Sequence, residues 1–267
     1  MKKNKSYIAP GHILQHAALW NEIKNIQPGK FLDAGCGIGL ISNFLLEHGW
    51  QGIGVDLNYD ALSINKQINK KYIQNSRYKF FNEDFTTFSS SKVNMDNFNL
   101  VISSNTIEHL DGSTFDAFIT NMRAHLNLNG TLVIIVPGSQ QDWGIEDEVV
   151  GHVKRYSFED MEKLGDQFDL QSKSILGMTY PLSNILLGAT NYLVRKNEGH
   201  KINNDIHENT IASSIRENHF KTEFPLWTKI IVNKIVLFPF ILMQKIFKHH
   251  PRSLAICAKY SLRPYQD

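Results

Sequence analysis

Four groups of residues carry the chemistry open to this chain. The first is the run Phe31 to Leu40, FLDAGCGIGL, in which Asp33 is followed by glycine at 35, 37 and 39. Glycine permits positive φ and lets another molecule rest on the main chain with no Cβ between. A helix starting at Leu40 would aim its unpaired N–H groups back at that turn. The second is Asp56, about 20 residues past the first glycine, whose two oxygens can accept hydrogen bonds from ribose hydroxyls. The third is the pair Glu108-His109. A histidine there can act as a general base, since its unperturbed pKa lies near about 6.5; it can equally pack as a structural hydrogen-bonding group. The fourth is the run Gly151-His152-Val153-Lys154-Arg155-Tyr156-Ser157. His152 and Tyr156 are candidates to hydrogen-bond the hydroxyl of a bound molecule or take its proton, and tethering of the loop is the plainer role for Tyr156.

The spacing narrows the ligand. A dinucleotide fingerprint would place its last glycine where Leu40 stands, and a phosphate-cradling loop would need a Gly-Lys-Ser/Thr ending that is absent. Asp33 adds a carboxylate beside the turn. That charge repels a pyrophosphate and suits an ammonium or a sulfonium.

These groups need a scaffold, and the chain alternates strand and helix patterns. Apolar spacing predicts a helix over 12–26, ended by Pro28-Gly29. Phe31-Leu32 reads as a buried strand, 40–48 as an amphipathic helix closed by Gly49, and 52–57 as a second strand. A polar helix over 60–72 carries Leu62, Ile64 and Ile68 as its buried stripe. Strands follow at 78–81, 98–103 and 130–136, with a helix over 113–126 and a polar, acidic loop over 139–150. Ser157 is a good N-cap for the next helix, and 169–176 reads as a sixth strand. This order predicts an open, mostly parallel sheet with helices on both faces and right-handed crossovers.

The turn D-x-G-x-G-x-G resembles motif I of the class I S-adenosylmethionine (SAM)-dependent methyltransferases. The resemblance covers residues 31 to 178 and extends to 253–262. It implies a Rossmann-like seven-stranded sheet, α/β in class, with the last strand antiparallel. It also implies roles. Asp33, Gly35, Cys36, Gly37 and Gly39 would hold the methionine part of SAM, Asp56 and Leu57 the ribose, Asp84 the adenine amino group, and Phe85 would pack on the adenine. Asn105 would sit near the sulfur. The run Gly151 to Ser157 is similar to one in many bacterial methyltransferases of small-molecule, polyketide and glycan pathways. His109 or His152 is then the expected base. Some related quinone O-methyltransferases bind a divalent metal through Glu-x-x-Glu-His at this place. Here the first of those positions is Asn105, which weakens the case for a hard cation, and no metal is expected.

With the last strand at 253–260, residues 177 to 252 become an insertion. The expected domain organisation is therefore a single domain over 1–267. An N-terminal helical lid spans 1–30, the core takes 31–178 and 253–262, and a helical cap over the acceptor site spans 179–252. Tyr7, His12 and His16 could line the site from the lid. The stretch 224–247 is strongly apolar but broken by Lys229, Asn233, Lys234, Pro239, Gln244 and Lys245, so it does not read as a membrane span. It reads as a cap over an apolar pocket, or as an interfacial helix aided by Lys245, Lys248, His249, His250 and Arg252.

Bulk properties fit. The chain has 267 residues, long enough for a full core, and 28 basic against 26 acidic residues, a formal charge of +2. That balance gives no nucleic-acid footprint. Cys36 and Cys257 are the sole cysteines, which argues against a disulfide framework and for a reducing, cytoplasmic setting. The basic N-terminus has no apolar run behind it, so no secretory signal is expected. The expected protein is a SAM-dependent methyltransferase for a lipophilic or lipid-linked small molecule, with possible contact to the inner membrane face through 224–252. Two alternatives stand beside it: a non-catalytic SAM- or nucleoside-binding protein at a membrane surface, and an NAD-dependent oxidoreductase.

Overall fold

The computed structural model describes residues 10–90, 97–199, 233 and 235–264. Seven strands form one sheet: β1 (Lys30–Ala34), β2 (Gln51–Asp56), β3 (Tyr78–Asn82), β4 (Phe98–Ser104), β5 (Leu126–Pro137), β6 (Leu170–Met178) and β7 (Ala255–Leu262). Their order is β3-β2-β1-β4-β5-β7-β6. The pairs among β1 to β5 are parallel, and β7 alone runs antiparallel, inserted between β5 and β6. The strand order reverses beside β1. Crevices open outside the carboxyl ends of strands at such a switch, and every candidate site residue lies at that end.

Both sheet faces are covered. On one, Phe31, Leu100, Ile102, Val133, Ile135 and Cys257 pack against Ala18, Leu19 and Ile23 of α1 (Pro10–Ile23) and Phe44, Leu45 and Leu46 of α2 (Leu40–Glu47). On the other, Leu32, Val101, Leu132, Ile134 and Ala258 meet Phe118, Ile119 and Met122 of α5 (Gly112–Ala124) and Met161 and Leu164 of α7 (Phe158–Gln167). Alternate strand residues thus serve opposite faces, the period-2 rule at work.

Several expected boundaries shift. The helix expected over 60–72 is two pieces, α3 (Tyr59–Ile68) and α4 (Lys70–Gln74), divided at Asn69. Its buried face is Ala61, Leu62 and Asn65 with Asn69 below, while Ile64 and Ile68 are only half-buried. The acidic loop contains a short helix, α6 (Ile145–Val150), which buries Ile145 and Val149 against Val194. β5 starts at Leu126, ahead of the strand expected over 130–136, and its pairing with β4 jumps from Phe98–Leu126 to Leu100–Thr131, so the Asn127–Gly130 segment is an irregularity inside the strand.

The insertion between β6 and β7 is helical where described: α8 (Leu182–Glu198) and α9 (Phe238–Ile246). Ile13 and Leu14 of α1 share a small core with Leu182 and Leu237. Gln244, 3% exposed, fastens the three parts together: its Nε2 donates to the Leu14 carbonyl at 3.1 Å and its Oε1 accepts from Thr179 N at 3.1 Å. Over its described length the leading helix is packed both on the sheet and on the insertion. The His16 ring lies tilted against Phe44 with centroids 4.8 Å apart, and Tyr7 lies outside the described residues. Among the described residues no helix is long and apolar enough to cross a membrane. Residues 200–232 and 234, most of the apolar stretch before α9 included, lie outside the described residues.

Candidate functional site

The glycine turn has the backbone its residues were read to need. Gly35, Gly37 and Gly39 have φ of 71°, 48° and 77°. A Cβ on Gly35 would stand 2.4 Å from Thr106 Oγ1, and one on Gly39 would strike the Asn65 side chain at 2.5 Å. Gly35 N and Cys36 N both donate to the Val55 carbonyl, at 2.9 and 3.1 Å, which ties the turn to the end of β2.

Asp56 closes that side. Its Oδ2 accepts from Gly37 N at 2.7 Å and its Oδ1 from Asn58 N at 2.8 Å. Burial raises its pKa, and the two N–H bonds oppose that rise. Each carboxylate oxygen has a second lone pair, so the group can brace the turn and still accept from a ribose. Leu57, next in the chain, is 69% exposed and stands free beside it. Asn58 also caps α3, accepting from Ala61 N at 3.1 Å.

Beneath the turn lies a buried polar network that the sequence reading missed. Asn65 Nδ2 donates to the Gly37 carbonyl at 3.2 Å, and Asn69 Nδ2 to the Gly39 carbonyl at 3.1 Å and to Asn65 Oδ1 at 2.9 Å. Tyr78 Oη donates to Ser42 Oγ at 3.0 Å, which donates to Asp33 Oδ2 at 2.6 Å. Two asparagines four apart on a helix face otherwise apolar were the available signal. The network bears on two expected site residues. Asp33 is 1% exposed under α2, its Oδ2 accepting from Ser42, so its side chain lies beneath the turn and not at its surface. Cys36 is buried with its sulfur 3.5 Å from Asn65 Nδ2, and burial, with Asp33 and Asp56 nearby, pushes the thiol well above its usual range. Only its peptide group remains for a ligand.

Asp84 is exposed after β3, with Oδ1 accepting from Thr86 N and Thr86 Oγ1, both at 2.8 Å. Phe85 is a correction. Its ring is buried in the core, 4.8 Å from Phe118, because the turn after β3 directs it inward; it cannot wall an adenine. Asn105 follows β4 with φ of 52°, its N–H on the Ile135 carbonyl at 2.9 Å. Asparagine tolerates that conformation better than most residues. Next to it, Thr106 Oγ1 is 3.5 Å from the Gly35 carbonyl, so the segment leaving β4 lies against the glycine turn.

That segment carries the second half of the site. Ile107–His109 forms one 3-10 turn, stitched to the Gly151–Tyr156 loop by three bonds. His109 Nδ1 pairs with the Gly151 carbonyl at 3.1 Å, Val153 N donates to the Glu108 carbonyl at 2.8 Å, and Tyr156 Oη donates to the Ile107 carbonyl at 3.2 Å. Local chemistry shapes the loop. Gly151, φ 74°, ends α6, and Ser157 with Asp160 caps α7. Asp147 is its centre: Oδ1 accepts from His152 Nδ1 at 2.8 Å and from Arg155 Nε at 2.7 Å, and Oδ2 from Gly144 N at 2.8 Å. Burial alone would raise the Asp147 carboxyl; the bonds from His152 and Arg155 and the Arg155 charge outweigh it and hold it down at about 2.

His109 and His152 meet with ring centroids 4.9 Å apart. Burial, then the neighbouring His152, hold His109 down at about 4, so it is neutral near pH 7. Glu108 is fully buried, with Oε1 3.7 Å from His152 Nε2. Tyr156 is a correction: it is buried with its hydroxyl committed to Ile107, and burial, with Glu108 and Asp160 beyond, pushes the phenol up. It tethers the loop and does not take a proton. Arg155 is buried on Asp147 and the Gly138 carbonyl, and Lys154 pairs with Asp160 at 2.8 Å. Asp147 was not singled out in the sequence; its signal was an acid five residues before His152.

A Rossmann-like sheet with one reversed strand, a bare-peptide turn after β1 and an acid closing β2 define a nucleoside-binding α/β protein with a second, histidine-bearing wall. Residues 9–174 match a family described as "Methyltransferase domain". The chain belongs to that family and is a class I SAM-dependent methyltransferase, with SAM as its cofactor. A 41-residue stretch is 46% identical to the ribosomal RNA small subunit methyltransferase C of Alcanivorax borkumensis, covering 15% of this chain and 13% of that protein. Among solved structures, the fold is similar to phosphoethanolamine N-methyltransferase 2 of Haemonchus contortus in complex with SAM. The TM-score there is 0.56 at 17% identity, over 94% of this chain and 52% of that one. It is also similar to the methyltransferase domain of bacterial CtHen1, with a TM-score of 0.51 at 18% identity over 61% and 88%. The pyocyanin biosynthetic protein PhzM gives 0.51 at 15% identity over 62% and 52%. At these identities the likeness is one of fold. The oxidoreductase and the non-catalytic binder fall with the family match.

Proposed function

We propose that this enzyme transfers the methyl group of SAM to a small-molecule acceptor with an apolar or lipid-linked body, whose nucleophile lies against Glu108, His109 and His152. The observation that carries the reading is contact between the two walls: Thr106 touches Gly35, so the donor turn and the histidine pair border one crevice. The residues present suit SAM. The peptide groups of Gly35 to Gly39 would hold its methionine part, Asp56 its ribose, and Leu57 would cover apolar surface beside it. Asp84 is kept for the adenine amino group.

When bound, SAM supplies a methyl group on a positive sulfur. Methyl transfer asks the protein for alignment and for removal of a proton from the acceptor. His152 is placed for the second task. Its Nδ1 donates to Asp147, which fixes the ring and leaves the Nε2 lone pair facing the crevice wall of Glu108 and His109. An apolar acceptor is supported by the cap. Phe238, Leu242 and Ile246 of α9 and Ile185 and Tyr192 of α8 expose apolar side chains, with Lys245, Lys248 and Arg252 close by in sequence. A lipid-bound acceptor would bring that surface against the inner face of a membrane.

The test is incubation of the full chain with methyl-labelled SAM and a lipid extract of its source cells. A labelled lipophilic product that is lost with His152→Ala, while SAM affinity is retained, supports the reading. Label appearing solely in water-soluble acceptors sinks the lipophilic assignment, and undiminished turnover by His152→Ala sinks the base.

A further inference from the structure

The Glu108–His109–His152 cluster has more order than a proton acceptor needs. Each residue offers a ligand atom, and these atoms all lie within 4.8 Å of one another. The tautomers are fixed by their partners. His109 Nδ1 faces a carbonyl oxygen and His152 Nδ1 faces a carboxylate oxygen, both of which only accept. Both rings therefore donate from Nδ1 and present the Nε2 lone pair. The gap between His152 Nε2 and Glu108 Oε1, 3.7 Å, is too long for a hydrogen bond. Two lone-pair atoms facing each other across such a gap suit a cation between them.

We infer that Glu108, His109 and His152 form a binding site for a divalent transition ion of the zinc class at the acceptor end of the crevice. Ligand bonds of about 2.0–2.2 Å put tetrahedral ligand atoms about 3.3 Å apart, so the cluster must close by up to about 1.5 Å around an ion. Two imidazoles and one carboxylate favour zinc, iron, cobalt or nickel over magnesium, which prefers oxygen. The orienting partners that metal-bound histidines require are already present. Asp147 holds His152 and is itself held by Arg155 and Gly144 N, and the Gly151 carbonyl holds His109. The expectation of no metal rested on Asn105 in place of a carboxylate. The third ligand comes instead from His152, on a loop after β5, which no reading of the 105–109 run could supply.

The inference rests on the acceptor-site reading and sharpens it to an acceptor with an ionisable hydroxyl. Three protein ligands leave a coordination position open. An acceptor oxygen bound there loses its proton to solvent water. It then forms a bond to the methyl carbon as the carbon–sulfur bond breaks and sulfur keeps the electron pair. With the ion bound, the Nε2 lone pair is engaged and His152 positions instead of taking the proton.

The experiment uses the full chain, stripped with a chelator and titrated with zinc chloride against a chromophoric competitor, with magnesium chloride in parallel. Cobalt chloride reports the ligand field by its visible absorption. One equivalent of zinc, bound at least 100-fold more tightly than magnesium, is expected. Glu108→Gln and His152→Ala should each weaken zinc by about 10- to 100-fold or more and change the cobalt spectrum, while SAM affinity, read by calorimetry, stays within about twofold and shows the fold intact. Zinc affinity and cobalt spectrum unchanged in both variants, or no zinc bound by the wild-type chain, overturns the site. The two readings fail separately. A stripped, zinc-free enzyme that methylates at full rate removes the ion and leaves His152 as base; zinc bound as described with no hydroxyl acceptor turned over removes the acceptor and leaves the ion.

Discussion

The proposed donor wall lies between residues 33 and 69, made from peptide groups, three glycines and a carboxylate that braces them. The proposed acceptor wall lies where residues 107–109 meet residues 144–156, made from side chains that hold one another. The materials suit the tasks. A donor common to a whole family can be gripped by main chain, which any sequence supplies once its turn is right. An acceptor peculiar to one enzyme must be met by side chains, and those need a second set of side chains to aim them. The donor wall should therefore fail by losing its ligand, and the acceptor wall by losing its own order.

The largest effect is expected at Asp56. Asp56→Ala would remove the charge-assisted bonds proposed to the ribose, each about 1.5–3 kcal/mol, so SAM affinity should fall about 100-fold or more in calorimetry with circular dichroism unchanged. Unchanged affinity would remove Asp56 from the donor wall. Asp147→Ala should leave Arg155 buried without its partner and destabilise the fold by about 3–5 kcal/mol, read as a lower midpoint in urea. A loss under about 1 kcal/mol would show that the acceptor wall does not depend on that carboxylate. Gly35→Ala forces a Cβ into left-handed backbone against Thr106, and about 2 kcal/mol or more of stability should go. The smallest effect is expected for Tyr156→Phe, about 1 kcal/mol from the lost bond to Ile107, with methylation largely retained. Abolished turnover at unchanged stability would return Tyr156 to the chemistry and blur the contrast between the walls.

The donor wall was legible because its signals are local. Glycines in a strand–turn–helix, an acid at the end of the next strand and the alternation of apolar runs together point to one sheet and one crevice end. Even there, the side chains of Phe85 and Cys36 turn into the interior, since a residue's position in a motif does not say which way its side chain leaves the backbone. Asp33 was read for its charge, and only the packing of α2 over it showed that Ser42 holds it out of reach.

By itself the sequence determined the fold class, the place of the seventh strand after a long insertion, and the left-handed glycine turn after β1, because these rest on periodicity, glycine conformation and chain connection. The tertiary structure alone decided that Glu108 and His109 face His152, that Asp147 and not Tyr156 governs that histidine, and that Arg155 is spent inside the protein. The reason is physical: side-chain direction and burial follow from which loops pack together, and residues 108 and 152 become neighbours only after β4 and β5 pair and the loop beyond β5 folds back over the turn beyond β4.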